Sequence, residues 1–219
     1  MWSGGSSGAD SWYLSTGGMY APAGSVLEDG WRLRLQIGTG RYSYDSTQAT
    51  NTGADEVTFV GNVMEVEALV GYQLRIGPAV TKLFLGAAGA RHDIAAAAPD
   101  DDVPGDPDNP LDGTHMGAAA VAEAWIDLTP QLWLSADADY RQAAATYQVG
   151  LAAGWRLLPW LSLGAEARMN GHEGYEDLRA GALARADTVW GELSLKGGYD
   201  RVAKDEPSPY VEIGLLQRY

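Results

Sequence analysis

A period of two runs through most of this chain, and it limits the fold more than any other feature. Between Gly30 and Tyr44, the residues Trp31, Leu33, Leu35 and Ile37 fall on one face, and Arg32, Arg34, Gln36, Gly38 and Gly40 on the other. Side chains alternate across an extended strand, so the segment is a strand with one apolar and one polar face. The pattern returns at Met64–Leu74, where Val66, Ala68, Val70 and Tyr72 oppose Glu65, Glu67, Gly71, Gln73 and Arg75. It returns again around residues 147–156, 161–169, 178–185 and 189–196. The face to which Phe84 belongs is not fixed by its neighbours.

Ten such segments begin near residues 31, 60, 79, 114, 131, 146, 160, 176, 188 and 208. Asp10 to Ala21 adds one more, and Trp2 to Ser7 can supply a short first strand. Twelve strands is therefore the expected count, with ten as the alternative. Tight Pro-containing turns (75–78, 128–131 and 157–160) alternate with longer polar loops near 45–57, 95–114, 171–176 and 201–208. Short turns at one end and long loops at the other describe a transmembrane, antiparallel up-and-down β-barrel of the outer membrane, its short turns periplasmic. A soluble β-sandwich would also alternate. It would not explain a polar face crowded with glycine and charges of both signs. Nor would it explain aromatics at strand ends: Trp31, Tyr72, Trp155, Trp160, Tyr199 and Tyr219, the expected girdle.

The remaining composition is consistent with one all-β domain over residues 1–219. A formal charge of -14 excludes a phosphate-seeking nucleic-acid surface. The absence of cysteine removes disulfides, thiolate metal sites and a cysteine nucleophile. No apolar run reaches the roughly 18 residues of a membrane helix. Met1 is followed by Trp2-Ser3-Gly4-Gly5 without a basic or apolar leader, so the chain reads as a mature form whose export signal is absent.

Several stretches carry a family resemblance: Asp10-Ser-Trp-Tyr13, Glu28-Asp-Gly-Trp-Arg-Leu-Arg-Leu35, Gly40-Arg-Tyr-Ser-Tyr-Asp45, Ala68-Leu-Val-Gly-Tyr-Gln73, His92-Asp-Ile94 and Asp106-Pro-Asp-Asn-Pro110. On these the chain resembles the cellulose biosynthesis protein BcsS family from about residue 10 onward. The resemblance implies an outer-membrane location and a context of cellulose production or export. It supplies no catalytic residue.

The polar faces define candidate lumen-lining residues: Arg32, Arg34, Glu65, Glu67, Arg75, Glu123, Asp137, Asp139, Arg156, Glu166, Arg168, Arg179, Glu192 and Lys196. Lys82, Asp127, Arg185, Glu212 and Arg218 complete a set of ten positive and nine negative charges. Such a balance requires paired networks or water. It fits either an ion-pair lattice filling a narrow barrel or a hydrated channel suited to a neutral sugar. Trp125, Trp133 and Trp190 are candidate sugar-stacking surfaces if they face inward, and girdle residues if they do not. Asp100, Asp101, Asp102, Asp106, Asp108 and Asp112 form an acidic loop in which carboxylates could hold Ca²⁺. Proline interrupts it and no glutamate closes it, so a solvated loop is the simpler reading. His92, His115 and His172 are expected near the outer rim, but no His-x-Ser motif accompanies them. The chain is therefore expected to be non-enzymatic. It is expected to act as an accessory pore in exopolysaccharide export, or as a sealed scaffold binding partners or lipopolysaccharide through its loops. A lipid or glycan hydrolase is the third reading. Expected partners are outer-membrane lipids, lipopolysaccharide, a glucan and components of cellulose secretion.

Overall fold

The computed structural model describes residues 1–50, 53–98, 106, 109–172, 175–202 and 207–217. They form a closed antiparallel barrel. Its strands are β1 (Trp2–Ser7), β2 (Ser11–Tyr20), β3 (Gly30–Thr50), β4 (Gly53–Ile76), β5 (Ala79–Ala96), β6 (Gly113–Asp127), β7 (Leu132–Arg141), β8 (Thr146–Leu158), β9 (Leu161–His172), β10 (Tyr175–Thr188), β11 (Gly191–Val202) and β12 (Ser208–Leu216). Each strand pairs with its sequence neighbour, and β1 closes the sheet on β12 from Trp2↔Leu216 to Ser7↔Val211. Closure leaves no open edge in the band that faces lipid, where an unpaired N–H or C=O costs several kcal/mol. The count is the twelve expected from the period, not the alternative ten.

The alternation reads directly as outside and inside. Leu35, Ile37, Met64, Leu83, Leu85 and Leu151 are exposed on the outer wall, where lipid covers them. Trp31 and Tyr72 meet edge to face, ring centroids 5.5 Å apart, at the short-turn end. Phe84, ambiguous in sequence, points inward. It forms an apolar patch on the inner wall with Leu69, Ala88, Ala119 and Val121.

Two loops depart from expectation. The segment 45–57, expected as a loop, is mostly strand. The β3–β4 ladder continues through Asp45↔Thr58, Thr47↔Glu56 and Gln48↔Asp55 to Thr50↔Gly53. The reason lies in its inner face, where Tyr44, Val57 and Phe59 pack with Ile94, Ala96 and Leu111. At the opposite end the turns are short, except for residues 21–29 between β2 and β3.

Candidate functional site in the barrel lumen

Inside the barrel, charged side chains from non-adjacent strands meet. Arg34 on β3 pairs with Glu67 (3.1 Å) and with Glu123 on β6 (2.5 Å). Lys82 reaches the other Glu123 oxygen at 2.7 Å. Arg141 on β7 contacts Glu65 at 3.0 Å, Glu67 at 3.6 Å and Asp139 at 3.3 Å. Tyr13 on β2 donates its hydroxyl to Glu65 at 2.6 Å. Its ring can lie there because it crosses Gly40, its register partner, and Gly38: a Cβ on Gly38 would stand 1.9 Å from the Tyr13 hydroxyl oxygen. A second network lines β9–β12. Lys196 bridges Glu166 (3.0 Å) and Glu212 (2.7 Å), and Arg168 meets Glu212 at 3.3 Å. Arg179 lies 3.6 Å from Asp177 and 3.8 Å from Asp200. Asp137 sits between the networks, accepting from Gln148 at 3.2 Å.

Towards the short-turn end the lumen is aromatic. Trp125 and Trp133 stack with centroids 4.5 Å apart and planes 17° from parallel. The Arg185 guanidinium, on β10, lies 5.0 and 4.5 Å from these rings, and Arg185 Nε is 3.7 Å from Glu192. Trp133 is 1% exposed. It occupies space left by Gly154, where a Cβ would stand 2.3 Å from the indole. Trp125 donates its indole N–H to Asp127, which also holds Arg156 at 2.6 Å. Trp190 does not join this cluster. It stands 71% exposed in the β10–β11 turn, outside the lumen, because the strand alternation ends there.

Arg75 stands at the rim, where it binds the 21–29 loop rather than lining the lumen. Its guanidinium donates to the Leu27 carbonyl at 3.0 Å, and its backbone N–H to Asp29 at 2.8 Å. Gln73 donates to the carbonyls of Val26 (3.3 Å) and Glu28 (2.8 Å). Arg32, 0% exposed, donates to the carbonyls of Trp31, Ser25 and Glu28. Three side chains thus hold one loop against the inner wall at the short-turn end. Arg32→Ala removes the central donor. Limited proteolysis is expected to cleave 21–29 at least about fivefold faster in this variant, the loss of about 1 kcal/mol of anchoring, with the barrel intact. Unchanged cleavage would show that the loop needs no lock.

At the loop end, Tyr42, Tyr44 and Phe59 stack along the inner wall, with successive centroids 6.1 and 5.7 Å apart. Tyr44 donates to Asp106 at 2.8 Å and accepts from Asn109 at 2.7 Å. Gln48 also donates to Asp106, at 2.9 Å, and Asp112 accepts from the Ile94 N–H at 3.2 Å. Both aspartates thus have protein partners, while Asp100, Asp101, Asp102 and Asp108 lie outside the described residues, as do Arg218 and Tyr219. Among the described residues no group of three acidic or histidine side chains is placed to hold an ion. His92 Nδ1 is 3.0 Å from the Tyr42 hydroxyl, and His115 Nε2 is 3.0 Å from the Leu111 carbonyl. Among the described residues neither ring is hydrogen-bonded to a serine.

Arg141, Tyr13, Asp177, Asp200 and Tyr210, which donates its hydroxyl to Glu166 at 3.1 Å, carry no signal that singles them out in the sequence. Parity alone puts Arg141 on the face of Asp137 and Asp139. The reach of Tyr13 across Gly38 has no sequence signal of its own.

A closed twelve-stranded barrel with an apolar wall and an ion-paired interior defines the class of outer-membrane, porin-like barrels. The chain belongs to the cellulose biosynthesis protein BcsS family, whose model matches residues 1–219. Among solved structures it is similar to the KdgM porin, at 8% identity and a TM-score of 0.53 over 100% of this chain and 98% of that one. The KdgM porin in complex with disordered oligogalacturonate is similar too, at 9% identity, a TM-score of 0.53 and the same coverage. At such identity the likeness concerns the fold. No curated protein matches the sequence.

Proposed function

We propose that the chain forms a narrow, hydrated accessory pore of the outer membrane that admits short neutral glucans during cellulose production. One observation carries the reading: the inward charged side chains are paired, and while Glu67 and Glu166 are buried, others keep area open to the lumen. Lys82 and Glu123, well inside the barrel, keep 26% and 29% of their side-chain area accessible. Area left open inside a barrel is area for water, and balanced ion pairs favour neither cations nor anions strongly. Trp125, half-buried and backed by the buried Trp133, offers the apolar, polarisable face on which a pyranose ring rests. The KdgM porin, whose fold is shared, has been solved with an oligosaccharide. Catalysis has no part in this reading.

The inward packing of 21–29 and of Leu111 supports a second reading, a sealed barrel that works through its loops. Single-channel conductance in a planar bilayer separates the two. Steady conductance that cello-oligosaccharides reduce in proportion to their concentration is the expected result. A silent bilayer, with protein shown to be inserted, would overturn the pore.

A further inference from the structure

The outer wall of the barrel is not evenly convex. A groove of about 640 Å³ crosses β2–β6 towards the loop end, lined chiefly by apolar side chains. Strand register places its residues in two outward rows. Leu14, Thr39, Met64, Arg91 and Thr114 form the upper row. Thr16, Ile37, Val66, Gly89 and Met116 form the row beneath. Gly89 sits between Val66 and Met116 and deepens the wall there.

Arg91 is the unusual member, a guanidinium pointing out of the barrel and 65% exposed in its side chain. The row above it, Trp12, Arg41, Asn62 and Asp93, is aromatic and polar, as expected where lipid headgroups begin. Asp93 accepts from the Nε and Nη2 of Arg91 at 3.2 and 3.0 Å. Among the described residues, nothing is bonded to the Nη1 edge. Arg91 and Arg41 are the outward basic residues of β2–β6, and both stand at the headgroup end of the groove.

We propose that this groove is a binding site for an outer-leaflet lipid carrying phosphate on its headgroup, of the lipid A class. One acyl chain lies along Ile37, Met64, Val66, Gly89 and Met116, and the Arg91 guanidinium takes the phosphate. Guanidinium forks suit phosphate geometry, and the two methionines adapt to an irregular chain. The neutral glucan of the proposed pore plays no part in this site, so either proposal can fail alone.

Native mass spectrometry of the refolded barrel in a non-ionic detergent tests it, with diphosphoryl lipid A and its dephosphorylated form as probes. The wild-type protein is expected to retain the phosphorylated form about fivefold better, the effect of one basic residue near the headgroups. Arg91→Gln should abolish that preference. Gly89→Phe fills the groove and should lose both probes. The sheet can accept it, since a Cβ at Gly89 meets the Met116 side chain, the His115 carbonyl and the Val66 side chain at 3.4, 3.5 and 3.8 Å, ordinary van der Waals contact. Equal retention of both probes by the wild type, a preference that survives Arg91→Gln, or undiminished binding by folded Gly89→Phe would overturn the proposal. Should Gly89→Phe fail to fold, Arg91→Gln, an outward substitution, decides alone.

Discussion

Arg141→Ala is expected to destabilise the folded barrel by about 3 kcal/mol and to make its lumen more cation-selective. Arg141 faces three carboxylates at once: Glu65 and Glu67 on β4, and Asp139 on its own strand. Truncation leaves Glu67 with Arg34 and Glu65 with the Tyr13 hydroxyl. Asp139 then has no counter-cation within salt-bridge distance among the described residues. Glu67 is 3% exposed, so water cannot make up the difference for that carboxylate. Partial hydration of Asp139 and Glu65 keeps the loss below the upper end measured for fully buried pairs, about 5 kcal/mol. Urea unfolding in lipid vesicles, followed by tryptophan fluorescence, reads the stability. The reversal potential across a salt gradient reads the selectivity. Arg141→Lys keeps the charge but loses the fork, and should cost about 1 kcal/mol. An Arg141→Ala barrel as stable as its parent would mean that the lattice is incidental to the fold.

The second large effect is expected at Trp133. Removing a buried indole typically costs about 3–5 kcal/mol, and here it also removes the floor beneath Trp125. Trp133→Ala should therefore unfold at clearly lower urea and, where conductance persists, lose block by cello-oligosaccharides. Trp133→Phe separates the two roles: most of the packing returns, and a smaller ring remains for stacking. Gly154→Val attacks the same cluster from the neighbouring strand, since even a Cβ there would stand 2.3 Å from the indole. Sugar block that survives Trp133→Ala undiminished would place the glucan elsewhere in the lumen.

The barrel was legible because each strand solves the same problem, lipid on one side and neighbours on the other, and so repeats one signal. Ile37 and Met64 could be assigned outward from parity alone, as could Arg34 and Glu67 inward. What parity cannot tell is how far a side chain travels after it leaves the sheet. Arg185 starts on β10 and ends over rings from β6 and β7. Trp133 shares its face with acids because it is packed inside, while Trp190, in similar company, is outside the barrel in a turn. The β3–β4 extension was hidden for another reason. Its polar residues look like a loop in sequence, and its order comes from contacts with Leu111 and Ile94, far along the chain.

That extension has a consequence for association between molecules. Among the described residues, β2 pairs with β3 only as far as Tyr42, and β5 with β4 only from Phe59. Past the further main-chain bonds from Ser43 to Asp10 and from Ala97 to Thr58, the hairpin is, among the described residues, a two-stranded ribbon, and the flanks of such a ribbon are a template on which another extended chain can grow a sheet. Asp45, Asp55 and Glu56 give the ribbon negative charge. Two copies approaching flank to flank therefore repel, and the repulsion weakens as ionic strength shortens the screening length. Self-association of the ribbon is thus governed by salt, while an extended segment of positive charge would meet the same flanks without that barrier.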